Sequence, residues 1–118
     1  MPNAPKATVE VSVTTTEDAQ HHIHVNKPDL SMVGLGPSAT ILWTVVTPDW
    51  AFDPTDGITI KKDIDNEFTN AGPVDGGLGY TVDDANTDGL AYHYDIHLHH
   101  TKGDEAKLED DPTIQNDE

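Results

Sequence analysis

Apolar and polar residues alternate along much of this chain, and the alternation predicts half-buried β-strands. In the segment ATVEVSVTT, Ala7 to Thr15, every second residue up to Val13 is apolar. Successive side chains of a strand point to opposite faces, so one face of this segment is expected to enter a core. The segment HHIHV continues the pattern, with Ile23 and Val25 predicted inward and its histidines outward.

Further strand patterns follow, separated by turns rich in Gly, Pro and Asp. The run ATILWTVVT, Ala39 to Thr47, is nearly all apolar and predicts a central strand buried on both faces. LAYHYDIHLHH, Leu90 to His100, alternates over its whole length. Its predicted core face comprises Tyr92, Tyr94, Ile96 and Leu98. Shorter strands are expected in GITIKK, Gly57 to Lys62, around Phe68, in GLGYTV up to Val82, and around Leu108.

These patterns predict a single all-β domain. No segment shows the 3.6-residue apolar period of an amphipathic helix. Seven or eight strands in a chain of 118 residues, spaced by roughly ten residues, are typical of an antiparallel sandwich or barrel. The domain is expected to span residues 1–118, with residues 1–6 and 115–118 frayed at its ends.

Several positions resemble those that mark immunoglobulin-like β-sandwiches. The segment DGLAYHY, which ends at Tyr94, is similar to a corner of such domains, where a tyrosine hydroxyl bonds to upstream backbone. Tyr92 occupies the position of that tyrosine, Ile23 and Tyr94 those of the two cysteines, and Trp43 that of the core tryptophan. The resemblance spans most of the chain and implies a disulfide-free, immunoglobulin-like Greek-key sandwich. Cupredoxin-like bacterial sandwiches have similar spacing. Such folds mostly serve binding and structural roles.

Charge and composition narrow the functional classes. The chain has 22 acidic residues, six lysines, no arginine and a formal net charge of -16. Binding to nucleic acid or to an anionic membrane is therefore not expected. The chain has no cysteine, which excludes disulfides, thiol catalysis and cysteine-ligated metals. The first residues carry no apolar signal segment, so the cytoplasm is the default expectation, and a mature secreted chain fits equally well.

The histidines are the first candidate site. His93, Asp95, His97 and His99 are predicted to share one face of the last long strand. Residues two apart on a strand are about 7 Å apart, so His97 and His99 could bind one zinc, copper or nickel ion. The alternative is a polar strand face with no ligand. His22 and the other early histidines are predicted on the opposite side of the molecule, in the other sheet.

A calcium-like motif is the second candidate. DANTDG, Asp84 to Gly89, matches the first half of an EF-hand loop, with Asp84, Asn86 and Asp88 as oxygen ligands. Asp95 falls at the twelfth position, but an intervening strand would place it about 23 Å away from Asp88. A looser calcium site in the loop remains, and an Asp- and Asn-rich turn without an ion is the alternative.

The leading functional hypothesis is a non-catalytic sandwich that binds a small ligand or a protein partner. Trp50 and Phe52 are a candidate ligand patch, with a plug at one end of the sandwich as the alternative. No nucleophile with a base and no phosphate loop is recognised, so an enzyme is not expected. Two further hypotheses are a metal-binding or metal-sequestering protein and an assembly subunit. In the latter, an exposed edge strand such as Ala7 to Thr15 would pair in a homo-oligomer.

Overall fold

The all-β prediction is confirmed. A computed structural model describes residues 5–18, 20–62, 67–103, 106–108 and 112–117. These residues form a single short 3₁₀ turn, Asp75–Gly77, and twelve strands, more and shorter than the seven or eight predicted. The strands are β1 (Ala7–Thr15), β2 (His21–Val25), β3 (Asp29–Ser31), β4 (Ala39–Val45), β5 (Trp50–Phe52), β6 (Ile58–Ile60), β7 (Phe68–Val74), β8 (Gly79–Asp84), β9 (Ala91–Ile96), β10 (Leu98–His100), β11 (Lys107–Leu108) and β12 (Thr113–Gln115). Within the described ranges, no helix has the length and apolar character needed to cross a membrane.

The strands form three sheets that mix parallel and antiparallel pairs. A six-stranded sheet has the order β11-β2-β1-β4-β8-β7, a four-stranded sheet the order β3-β12-β9-β6, and β10 pairs with β5. The pairs β1–β4, β2–β11 and β3–β12 are parallel, so the prediction of a purely antiparallel fold is wrong. Strand β1 lies between β2 and β4, and the suggestion that Ala7 to Thr15 forms an exposed edge is therefore also wrong.

One hydrophobic core receives side chains from all three sheets. In β1 the alternate valines predicted to face inward are buried. In β4, Ala39, Ile41, Trp43 and Val45 are buried, while the residues between them are only partly buried. The expectation that this strand is buried on both faces is therefore wrong. Trp43 packs edge-on against Tyr94 of the four-stranded sheet, with ring centroids 5.3 Å apart, and its Nε1 donates to the Tyr94 hydroxyl at 3.0 Å.

The predicted strand from Leu90 to His100 is divided in two at His97. All four residues of its predicted core face are buried, as expected. Strand β9 pairs with β6 and β12, whereas β10 pairs with β5. In β5, Trp50 is 4% exposed and Phe52 is 1% exposed. These aromatic residues are part of the core and do not form the exposed ligand patch that we considered.

The C-terminal segment is built into the fold. Strand β12 lies between β3 and β9, and Asn116, which follows it, is 1% exposed. The expected fraying therefore does not apply to residues 115–117, while residues 1–4 and 118 lie outside the described ranges. The strand predicted around Leu108 is β11, and residues 109–111 beyond it also lie outside the described ranges. The position of β12 brings Asn116 to the loop that follows β8.

Candidate functional site

A cluster of buried polar residues lies where the loop after β8 meets the C-terminal segment. We call it the Asp84 corner, and it comprises Glu67, Asp84, Asn86, Asp88 and Asn116. Asp84 ends β8, Asn86 and Asp88 lie in the following loop, Glu67 precedes β7, and Asn116 follows β12. Four of the five are almost fully buried, and Asp88 is half-buried. Buried polar groups need hydrogen-bond partners, and most polar atoms of this cluster have them.

Asn86 holds the loop in place. Its Nδ2 donates to the carbonyl oxygens of Met32 and Gly36, both at 2.9 Å, and its Oδ1 accepts from the Asp117 amide at 2.7 Å. Its backbone has a positive φ of 59°, which asparagine tolerates better than most residues. The backbone amide of Asn86 donates in turn to Asp84 Oδ1 at 2.9 Å. The side-chain oxygen of Asn86 is therefore engaged in the fold.

Asp88 is likewise saturated. Its Oδ1 accepts from the Leu90 amide and from Asn116 Nδ2, both at 3.1 Å, and its Oδ2 accepts from the Tyr92 hydroxyl. Burial opposes ionisation of Asp88, but the hydrogen bonds from Tyr92, the Leu90 amide and Asn116 outweigh it and hold its pKa below the usual value. The Tyr92 hydroxyl thus donates to the Asp88 carboxylate, whereas the immunoglobulin-like resemblance implied a bond to upstream backbone.

Two oxygens at the corner are left over. Asp84 Oδ2 and Asn116 Oδ1 are buried and have no hydrogen-bond partner within the described part of the chain. Burial, reinforced by the negative charges of Glu67 and Asp88, outweighs the hydrogen bonds from the Asn86 amide and the Asn116 side chain and raises the pKa of Asp84 from 3.8 to about 7. The corner therefore combines two unused acceptors with a negative electrostatic potential.

A polar groove of about 300 Å³ adjoins the corner. Glu67, Asp83 and Asp84 line it together with Ser38, Thr40, Thr69, Asn70 and Ala85. The Asp83 carboxylate is fixed in this groove, because it accepts from Thr40 Oγ1 at 2.8 Å and from Asn70 Nδ2 at 2.9 Å. The described residues that line the groove include three acidic residues and no Lys or His. The groove is thus suited to a polar, positively charged ligand.

The candidate metal ligands of the last long strand have separate partners. Asp95 pairs with Lys61 at 3.3 Å. His97 Nδ1 lies 2.9 Å from the Asp56 carbonyl oxygen and 3.7 Å from its Oδ2. His93 is in β9 and His99 in β10, both exposed. Among the residues that the structure describes, no three His, Asp or Glu side chains are arranged to hold a metal ion. The zinc, copper or nickel hypothesis gains no support from this arrangement.

One histidine from each histidine-rich segment contacts the same tryptophan. His21 and His100 both pack edge-on against Trp50, with ring centroids at 5.1 and 5.0 Å. His21 Nδ1 also lies 2.9 Å from Thr15 Oγ1. The sequence predicts that the two segments lie on opposite sides of the molecule. The structure links them through β5, since Trp50 is paired directly with His100 there.

Sequence reasoning found part of the Asp84 corner and missed the rest. The motif DANTDG supplied Asp84, Asn86 and Asp88, which do lie together. Glu67 and Asn116 belong to no local motif, because strand pairing brings them to the loop from distant positions. Comparison with family models and with curated proteins gives no match.

Proposed function

We propose that the chain is a non-catalytic β-sandwich domain that binds a small cationic ligand in the groove beside the Asp84 corner. The observation that carries the proposal is the lining of the groove, which includes three acidic residues and in which Thr40 and Asn70 hold the Asp83 carboxylate in place. A fixed carboxylate in a partly enclosed site attracts a cation more strongly than a freely solvated one does.

The sandwich assignment is supported by the shared core. Trp43 of the six-stranded sheet contacts Tyr94 of the four-stranded sheet, and both are fully buried. Ile23, the third position of the immunoglobulin-like resemblance, is buried in the same core. The parallel pairing of β1 with β4 means that any immunoglobulin-like sandwich here is a variant of the simple antiparallel form.

The chemistry of the groove suits a polar cation. Among its hydroxyl groups, Thr40 Oγ1 is held by a hydrogen bond to the Asp83 carboxylate at 2.8 Å, which fixes both side chains. The whole molecule carries a formal charge of -16, which repels anionic ligands such as phosphates. A primary amine or a hydrated metal cation fits the hydroxyl and carboxylate oxygens of the lining.

Amide chemical-shift mapping by NMR tests the proposal. The probes are 1,4-diaminobutane and calcium chloride as cations, glucose as a neutral ligand, and inorganic phosphate as an anion. We expect the cations alone to shift amides near Ser38, Asn70 and Asp84, and we expect Asp83→Asn to weaken this response. Asp95→Asn is the matched control, because it removes one negative charge from an exposed ion pair with Lys61. Equal responses over the whole surface, or a preference for glucose or phosphate, would refute the proposal.

A further inference from the structure

We propose that two copies of this chain associate through β6, which pairs with β6 of the second copy in antiparallel orientation about Thr59. The pairing would join the two four-stranded sheets into one continuous sheet. The surface involved is lined by different residues from the groove beside the Asp84 corner, so the inference goes beyond the proposed function and does not depend on it.

Strand β6 lies at the edge of the four-stranded sheet, and among the described residues only β9 pairs with it. The Lys61 amide donates to the His93 carbonyl oxygen of β9 at 2.9 Å. Alternate residues of an antiparallel strand bond to a given neighbour, so Thr59 and Lys61 bond to β9. The backbone groups of Ile58 and Ile60 therefore point away from β9, and they form an open edge of the kind that pairs with a further strand.

The neighbouring edge of the six-stranded sheet is protected against such pairing. Strand β7 ends that sheet and contains a bulge between Thr69 and Gly72, with a positive φ of 54° at Asn70. It also contains Pro73, which has no amide hydrogen to donate. Bulges and prolines on an edge strand discourage pairing with another chain. Strand β6 has neither feature, so it is the one of these two edges that can accept a strand.

An apolar groove of about 230 Å³ lies beside this open edge. Ile60 and Phe68 are only partly buried there, although both pack against the core. Directly opposed residues of an antiparallel pair point to the same face, so Ile60 of the second copy would lie beside Ile58 at the groove. The two residues would also exchange backbone hydrogen bonds, about four in the whole dimer. The lining comprises Ile58, Thr59, Ile60, Phe68, Ala71 and Val82.

The charges at the two ends of β6 favour a second copy as the partner. Asp56 precedes the strand, Lys61 and Lys62 follow it, and all three are exposed. Antiparallel pairing about Thr59 sets the Asp56 end of each strand against the lysine end of the other. Lys61 already pairs with Asp95 of its own chain, so Lys62 is the residue expected to meet Asp56. A lysine at an edge normally discourages pairing, but here a carboxylate of the second copy offsets it.

Disulfide trapping tests the pairing, because the chain has no cysteine of its own. In the proposed register Thr59 faces Thr59 of the second copy at a non-hydrogen-bonded position, where the Cα atoms are ~4.5 Å apart and within reach of a disulfide. We expect Thr59→Cys, oxidised with diamide at high protein concentration, to give mainly a disulfide-linked dimer. Thr8→Cys, exposed on β1, is the matched control and should stay mainly monomeric. Equal cross-linking of both variants, or none in Thr59→Cys, would overturn the inference.

Sedimentation velocity with charge variants tests the choice of partner. The formal charge of -16 opposes association, so the unmodified dimer is expected to be weak and is measured over a range of concentrations at pH 7 in 0.15 M NaCl. Lys62→Glu sets carboxylates against each other and Asp56→Lys sets lysines against each other. Each variant alone should therefore dimerise about tenfold more weakly, although Asp56→Lys makes the chain less negative. Mixing the two variants restores both opposite-charge pairs, and the mixture should associate as the unmodified chain does.

The control for overall charge is Lys102→Glu, in the turn after β10, which changes the net charge as Lys62→Glu does. No recovery in the mixture of Asp56→Lys with Lys62→Glu would overturn the inference. The same recovery with Lys102→Glu in place of Lys62→Glu would also overturn it, because overall charge would then govern association. If Asp56→Lys does not fold, the cross-linking of Thr59→Cys decides. A chain that stays monomeric and is not cross-linked would refute self-association and leave the edge to a strand of another protein.

Discussion

Asp84 links the stability of the protein to pH. Its pKa is raised from 3.8 to about 7, first by burial and then by the nearby charges of Glu67 and Asp88. Between these two values the unfolded chain has released the proton while the folded chain still holds it. The free energy of unfolding therefore falls as the pH rises from about 4 to about 7. Above that range the loss is constant, on the order of 4 kcal/mol for this group alone.

The variant Asp84→Asn should abolish this dependence. Without divalent cations, we expect it to match the unmodified protein near pH 4 and to be more stable at pH 8 by several kcal/mol, up to the ~4 kcal/mol given by the linkage. Urea unfolding in the presence of EDTA measures the difference at each pH. Parallel stability curves for the two proteins would show that Asp84 does not carry the dependence. The exposed Asp95→Asn serves as the control for loss of one charge.

Individual site residues were predictable only where they were close in sequence. The pattern of Asp84, Asn86 and Asp88 can be read directly because a turn places neighbours together. Their roles could not be predicted from sequence. The side-chain oxygens of Asn86 and Asp88 accept hydrogen bonds from backbone amides, Tyr92 and Asn116. Which oxygen remains unused depends on contacts made by distant segments.

At the scale of the elements, alternation identified strands and not their partners. The face of β9 and β10 that enters the core was predicted correctly, since alternation continues through the break at His97. The break itself arises because pairing changes from β6 and β12 to β5. The parallel pairs β1–β4 and β3–β12 join segments that are distant along the chain. A pattern of period two contains no information about such pairing.

Two glycines provide a matched test of packing between elements. A Cβ at Gly57 would lie 2.8 Å from the Asp53 carbonyl oxygen and 2.8 Å from the ring of Tyr80, whereas one at Gly72 would meet nothing within 4 Å. Because Tyr80 is 2% exposed, its ring has little room to move. We expect Gly57→Ala to lower the free energy of unfolding by ~1–3 kcal/mol and Gly72→Ala to change it by less than about 0.5 kcal/mol. Chemical denaturation checks both values, and equal effects would contradict the packing of β8 against the turn before β6.

The contact of β5 with two histidines predicts a change in tryptophan emission on substitution. His21 and His100 both pack edge-on against the Trp50 indole. At constant pH we expect His100→Gln to change the emission of Trp50, since the substitution removes one of the two imidazoles that contact the indole. His93→Gln, exposed on β9, is the control, and an equal effect of both variants would contradict the assignment.

At the scale of the whole molecule, we expect net charge to influence association. The formal charge of -16 favours repulsion between chains at neutral pH, and seven histidines can offset part of it on acidification. We therefore expect the average mass in solution to increase between pH 8 and pH 5.5. Light scattering at both pH values measures this. An unchanged mass would eliminate acid-dependent association.

The fold of the whole molecule was predictable as a class. Period-two patterning and the absence of helical periodicity were sufficient for an all-β domain, and the alternating valines of β1 and the aromatic residues of β9 identified much of the core. The C-terminal residues were not recognised as part of it. Their polar sequence resembles a tail, yet Ile114 and Asn116 are buried because β12 fits between β3 and β9.

The central claim is that the groove beside the Asp84 corner binds a small cationic ligand. Amide chemical-shift mapping with 1,4-diaminobutane, repeated on Asp83→Asn and Asp95→Asn, tests it most directly. The account predicts shifts concentrated near Ser38, Asn70 and Asp84, which Asp83→Asn reduces and Asp95→Asn leaves unchanged. The contradicting result is shifts that spread evenly over the surface, or that Asp83→Asn does not reduce.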